Sequence, residues 1–378
     1  GAHNMHAALC IPAVTGAWLH EGGGAICSNS GIYGWDKTLI EGLDKLDPAT
    51  RTFDQSRIGP VLTGDPADLK GGAPVTALLI QNTNPVEIAP EQKLVKQGFA
   101  REDLFVAVRE QFMTATARMA DVVLPATMFL EHDDVYQGGG HQHIQLGLKL
   151  IDPPGECRNN HEVIRALAKR VGADHPGFEM TPRELIDATL RASKHGTLAE
   201  LEAQRWLDCQ PPLEVSHYPK GFAWPDGKFR FRPQWGSVPV GRKFDYGIAD
   251  QIPALPDHWD VNEKADARHP FKLATSPSRG FLNSSFNETP TSRHREGRPR
   301  AKMHPEDLAK LGLGDGDAIR MGNERGEISL WAERFEGVLP GVVIVEGVQP
   351  NTAFPGEAGI NTLTSAFVPA PYGGAAFH

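Results

Sequence analysis

Cysteine is scarce in this chain: four residues in 378, Cys10, Cys27, Cys157 and Cys209, with no two close enough to make a C-x-x-C pair. That spacing excludes a self-contained iron–sulfur or zinc ribbon, which needs paired thiolates a few residues apart. It also fits reduced thiols better than a disulfide scaffold, so a cytoplasmic protein is expected. Basic charge is short as well. Lys and Arg number 38 against 47 Asp and Glu, for a formal net charge of -9. No basic face dominates, and a nucleic-acid partner is not expected. The one cluster, Arg293-His294-Arg295 with Arg298 and Arg300, reads as a solvated loop or an anion-facing patch. No apolar run reaches the roughly 18 residues that a membrane helix needs. No Gly-x-Gly-x-x-Gly or Walker loop follows any candidate strand, which weakens a dinucleotide-dehydrogenase reading. An initiator Met is also missing. The chain opens Gly1-Ala2-His3-Asn4 and stops at Gly373-Gly374-Ala375-Ala376-Phe377-His378, which reads as the start of a strand. Both ends read as cut.

The composition that remains, 40% hydrophobic and 22% charged, is that of a folded globular protein with room for two or three domains. Residues 3–19 predict a short helix interrupted at Pro12, and 25–70 are loop-rich. Val75 to Ile80 is a short apolar run without alternation, so it reads as a strand buried on both faces. Pro90 is placed to start a helix toward Gly98. Leu104 to Val108 is a second strand, Thr114 to Ala120 spans two helical turns, and Asp121 to Pro125 is a third strand. β-α-β-α-β with short connections implies parallel strands and right-handed crossovers. Helices follow at His161–Val171, capped by Asn160, and after the capping boxes that begin at Thr181 and Thr197. Residues 210–270 read as a connection. From Phe271 the pattern is β, with a helix at Pro305–Leu311, a hairpin around Asn323-Glu324-Arg325-Gly326 and a strand at Val342–Val345.

In an open parallel sheet, ligands bind beyond the carboxyl ends of the strands. Three polar loops leave that edge: Gln81 to Pro85, Glu110 to Thr116, and Ala126 to Asp134. Amides, hydroxyls and a carboxylate in such a crevice suit a base and a ribose. Glu110 stands out, because a carboxylate accepts from both the ring N–H and the exocyclic amine of guanine, a pair that adenine does not offer. The plainer alternative is a solvated loop carboxylate. His3 and His6, one helical turn apart, read as structural without a third ligand. His141 and His143, after Gly138-Gly139-Gly140, read as a surface loop, with side chains pointing into a cleft as the alternative; Glu131 to Asp134 read as a loop-fixing cluster, with a metal site as the competing possibility.

Several strings together resemble a known family: Asn82-Thr83-Asn84-Pro85, Ala100 to Phe105, Glu110 to Ala117, and Ala120 to Thr127 with its ordered A-D-V-V-L-P-A-T. They are similar to the molybdopterin oxidoreductases, of formate-dehydrogenase-like or dimethyl-sulfoxide-reductase-like type. Pro225 to Phe231 resembles the family's entry to its last domain. His304 to Asp317 resembles its closing dinucleotide-binding barrel, and Asn361 to Thr364 its pterin-contact segment. The likeness covers nearly the whole chain and is weakest at 30–70 and 185–265.

The resemblance implies an α/β fold, with part of a parallel nucleotide-binding domain followed by a double-psi-type β-barrel. It implies segments at 1–175 (α/β, binding molybdopterin guanine dinucleotide), 176–265 (connecting) and 266–378 (barrel). It implies a bis-molybdopterin guanine dinucleotide cofactor (bis-MGD) with molybdenum or tungsten. The contacts implied are Asn82, Thr83, Asn84, Pro85, Glu110, Thr114 and Thr116 for the nucleotide, Ser276, Ser278, Arg279, Asn283, Ser284 and Ser285 for pterin or phosphate, and Asn361 for pterin. Some relatives carry His-Ser-Gln at 283–285, where this chain has Asn-Ser-Ser. The redox metal's protein ligand and any iron–sulfur cluster are implied to lie in an N-terminal half outside this chain. That half is the expected partner, with an electron-transfer subunit beside it, and the chain alone is expected to be inactive. The competing readings are a non-catalytic pterin-nucleotide-binding module and a nucleotide enzyme unrelated to molybdenum.

Overall fold

The computed structural model describes residues 2–25, 30–235, 253–257 and 262–367. Gly1, Cys27, much of the expected 210–270 connection and the terminal segment from 368 lie outside them.

Three parallel strands follow one another in the order β1 (Ala77–Gln81), β2 (Phe105–Glu110), β3 (Val122–Pro125), with Ala77 opposite Phe105 and Ala107 opposite Val122. The β1–β2 crossover is helical but split in two: Pro85 opens a one-turn helix, Pro85–Ile88, and the helix expected from Pro90 begins two residues later, after Glu91, and spans Gln92–Phe99. The β2–β3 crossover is one 3-10 turn at Ala117–Met119, shorter than the two turns expected. Its backbone is held elsewhere: Thr116 N–H donates to Asn84 at 3.2 Å, and Ala117 N–H to the Thr114 hydroxyl at 3.2 Å.

One face of this sheet is covered. Ile80, Val106 and Val108 pack with Leu62, Val86, Val95 and Phe99, contributing about 25 cal/mol per Å² of apolar area removed from water. The helix Ile58–Thr63 approaches Gln92–Phe99 closely, because Gly98 places no side chain against Leu62. The other face is open. Leu79 is 48% and Phe105 52% exposed, and Val122 is exposed beside them. The strands are therefore not buried on both faces, because the helices lie against only one. Apolar runs do not distinguish the two cases.

A second sheet is antiparallel, in the order β4 (Asp134–Tyr136), β5 (His143–Gly147), β6 (Trp206–Asp208). No periodicity announces it, since two of its strands have only three residues. Tyr33, Ile144, Ile186, Leu190, Leu198 and Leu201 form its core with the helices Pro182–Ala192 and Leu198–Gln204. Thr181 and Thr197 close capping boxes as expected. The helix Asn160–Val171 is capped by Asn159, one residue before the expected Asn160, because the box requires Glu162 at the third position.

The third sheet is a curled five-stranded one in the order β7-β11-β8-β10-β9, with β7 (Lys272–Ser276), β8 (Arg300–Met303), β9 (Ala318–Asn323), β10 (Gly326–Arg334) and β11 (Val342–Glu346). β9 and β10 form the expected hairpin; β7 runs parallel to β11, and β8 parallel to β10. Ala301, Ile328, Leu330, Val343, Val345 and Phe354 form its core. The basic cluster Arg293-His294-Arg295 lies in the last turn of a helix, Pro290–Glu296, and not in a loop.

By contact the chain forms two compact units, each made of two separate stretches. One is 1–50 with 126–258; the other is 51–125 with 259–378. The parallel sheet and the curled sheet thus share a unit. This grouping cuts across the sequential division at 175 and 265.

Candidate nucleotide site

β1 and β2 end side by side, with Gln81 opposite Arg109, and their carboxyl ends lead into the first two polar loops. Asn82 takes a left-handed backbone (φ 59°), a conformation that asparagine tolerates better than most residues. Asn82 and Thr83 are exposed, whereas Asn84 and Pro85 are buried. Glu110 is the last residue of β2 and half-buried, and its Oε1 accepts the Gln111 N–H at 2.7 Å.

The two loops are stitched together. Asn84 Oδ1 accepts from both the Thr116 hydroxyl (2.7 Å) and its N–H, while the Thr116 oxygen accepts the Val86 N–H at 3.1 Å. Thr114 and Thr116 are buried and hold the loop, whereas Asn82, Thr83 and Gln111 are exposed and Gln81 and Glu110 half-buried.

Behind the stitch lies a polar seam that sequence reasoning missed. Glu87, 4% exposed, accepts from the Asn84 side-chain amide at 2.6 Å and the Asn351 N–H at 3.4 Å. Asn351 Oδ1 accepts from Gln92 Nε2 at 2.8 Å, and Gln92 Oε1 accepts from the Gly359 N–H and the Thr362 hydroxyl. Gly359 has to be glycine, because a Cβ there would collide with Asn351. Burial pushes the Glu87 carboxyl above its ordinary range; the bonds from Asn351 and Asn84 pull it back, and nearby Glu288 pushes it further up. Asn361 belongs to the same seam. It is 6% exposed, donates through Nδ2 to the Glu87 carbonyl at 2.8 Å and accepts the Thr364 hydroxyl at 2.9 Å.

The remaining expected contacts gather at the end of β7. The Ser276 carbonyl accepts the Gly347 N–H at 2.8 Å, and the Ser278 hydroxyl accepts the Phe281 N–H at 3.2 Å. Gly347 (φ 74°) passes so close to Ser278 that a Cβ would sit 2.7 Å from it. Arg279, Asn283 and Ser285 are exposed and Ser284 is half-buried, in a turn where Asn283 again takes a left-handed backbone (φ 51°). A cavity of about 750 Å³ opens beside the same sheet, floored by Leu273, Ile319, Met321 and Val343 and rimmed by His269 and Arg320.

The third loop belongs to the other unit. There Thr127 Oγ1 lies 2.9 Å from His132 Nδ1, Glu131 accepts the Met128 N–H at 2.9 Å, and Asp133 pairs with Arg183. These side chains fix the loop. His3 Nε2 lies 2.5 Å from the Pro253 carbonyl, His6 stacks on Phe229, and His143 N–H donates to His141. No group of three or more His, Cys, Asp or Glu suited to a metal ion occurs among the described residues.

Residues 67–170 match the family described as "Molybdopterin oxidoreductase", and 271–378 match "Molydopterin dinucleotide binding domain". The chain belongs to the molybdopterin oxidoreductase family. It is 35% identical over 364 residues to "Probable oxidoreductase YoaE" of Bacillus subtilis, covering 95% of this chain and 50% of that protein. It is 25% identical to the "Trimethylamine-N-oxide reductase" of Haemophilus influenzae over 92% of this chain and 44% of the relative. Among solved structures, "Acetylene Hydratase from Pelobacter acetylenicus" shares the fold with a TM-score of 0.65 at 21% identity, over 87% of this chain and 45% of the other. The chain spans about half the length of the curated relatives it matches. Both matched segments contribute to the geometry above: the first holds the two stitched loops, the second the seam's far side. No described helix is long and apolar enough to cross a membrane.

Proposed function

We propose that this chain supplies cofactor-binding surfaces of a molybdenum or tungsten bis-pterin oxidoreductase and holds the guanine dinucleotide tails of that cofactor. The observation that carries the reading is the stitch between Asn84 and Thr116. It fixes two loops at the carboxyl ends of adjacent parallel strands, where this class of sheet binds nucleotides. The residues fit the group. Glu110 presents a half-buried carboxylate to a ring N–H and an exocyclic amine, and Asn82 and Thr83 offer exposed amide and hydroxyl groups to a ribose. Ser278, Arg279 and the 283–285 turn would meet phosphate or pterin, with Arg279 supplying charge.

The bound cofactor supplies the metal centre for two-electron oxidation or oxygen-atom transfer. The residues of this chain bind and orient it. The metal's protein ligand, any iron–sulfur cluster and an electron-transfer subunit belong, in this reading, to polypeptide outside residues 1–378, in a cytoplasmic enzyme. Calorimetric titration with GDP and ADP tests the nucleotide assignment. GDP should bind more tightly by about tenfold or more, the value of one charge-assisted hydrogen bond. Equal affinities, or no binding of either, would contradict it.

A further inference from the structure

Glu87 lies outside both polar loops, yet its carboxylate anchors the stitch between them through Asn84. Its carboxylate holds the Asn84 amide, and Asn84 in turn holds Thr116, which closes the Glu110 loop. On the other side it accepts the backbone N–H of Asn351, whose side chain is locked by Gln92 and by a bond to the Val86 carbonyl. Asn84 has no freedom to turn: its nitrogen serves Glu87 and its oxygen serves Thr116. A buried carboxamide with both ends committed has one orientation, and so does whatever hangs on it.

The charges facing Glu87 are sparse. Lys96 on the helix Gln92–Phe99 and Glu288 interact with it electrostatically, and its other neighbours are amides. A carboxylate deep in protein is a costly way to brace a loop. A carboxylate, however, accepts from two donors at once without supplying a proton: one donor, Asn84, is three residues from Glu87 in sequence and the other, Asn351, is 264 residues away.

We propose that Glu87 is a positioning residue for guanine recognition: through Asn84 and Thr116 it sets the Glu110 loop against the segment 351–364. This rests on the assignment of the Glu110 loop to guanine. Hypoxanthine lacks the exocyclic amine that Glu110 would read, so the ratio of IDP to GDP dissociation constants reports how well Glu110 is placed. A displaced loop loses that discrimination before it loses binding altogether, since small misplacements cost directional hydrogen bonds first.

The test measures this ratio by calorimetry for the wild type, Glu87→Ala, Asn351→Ala and Gly98→Ala. Gly98→Ala crowds Leu62, 2.5 Å from the new Cβ, and so perturbs the same unit without touching the seam. The wild-type ratio should be about ten or more. It should fall toward one in Glu87→Ala and Asn351→Ala and stay at the wild-type value in Gly98→Ala, with melting temperatures recorded for all four. Asn351→Ala keeps its backbone bond to Glu87, so it remains informative if Glu87→Ala does not fold. A preserved ratio in the folded seam variants would overturn the positioning role alone, as would an equal fall in Gly98→Ala. Absence of GDP binding by the wild type would overturn the guanine assignment and this proposal with it.

Discussion

Replacing Glu110 by alanine is expected to weaken guanine-nucleotide binding by about 1.5–3 kcal/mol, roughly 10- to 150-fold in Kd. The loss is that of hydrogen bonds to a charged acceptor, and it should be confined to guanine. ADP, which has no ring N–H and amine pair to offer, should bind the variant and the wild type alike. The fold should be untouched, because Glu110 ends its strand half-buried and its recorded bond is to its own neighbour, Gln111. Titration of both nucleotides into both proteins decides the matter. Equal GDP affinities, measured where the wild type binds, would remove Glu110 from the site.

The largest stability effect should come from Asn84→Ala, about 3 kcal/mol, with a characteristic pH dependence. The substitution removes the amide that serves Glu87 and the oxygen that accepts two bonds from Thr116, all of it buried. Leaving buried polar groups without partners costs about 1–3 kcal/mol each, and these three are coupled, so the sum is less than the parts. The pH dependence follows from Glu87, whose carboxyl is already pushed up by burial. A carboxyl with a raised pKa in the folded state keeps its proton after the unfolded chain has released it. Its contribution to stability is therefore full below the ordinary carboxylate range, about 4.3, and is lost as pH rises through the folded value. Without Asn84 the folded value moves higher still and the window widens. The deficit of Asn84→Ala relative to wild type should thus be greater at pH 8 than at pH 4.5 in urea unfolding. An equal deficit at the two pH values would show that Glu87 does not feel the amide.

Most of the frame was legible because it depends on local signals. Thr181 and Thr197 announced their helices, and the hairpin at Asn323–Gly326 announced the curled sheet. The β-α-β-α-β order fixed the parallel sheet and with it the edge where Glu110 emerges. Exposure of one sheet face was not legible, since an apolar run such as Val75 to Ile80 looks the same whether one face or both are covered. Neither was the β4–β6 sheet, whose strands are too short to show a period. The seam was the least accessible of all. Glu87 sits in a Pro-Val-Glu-Ile stretch between the first polar loop and the expected helix, with no local signal of burial, and its significance depends on partners such as Asn351, paired across 264 residues. Asn361 stood out as a ligand contact, yet both ends of its amide are engaged within the protein.

The cofactor proposed for this chain is a guanine dinucleotide form of molybdopterin. The most direct measurement is metal and nucleotide analysis of the protein purified from its native host together with whatever polypeptide accompanies it. Acid release should yield GMP at two per atom of molybdenum or tungsten, with no stoichiometric AMP or CMP. Stoichiometric metal with CMP or AMP, or GMP-free protein that nevertheless turns over, would contradict the account.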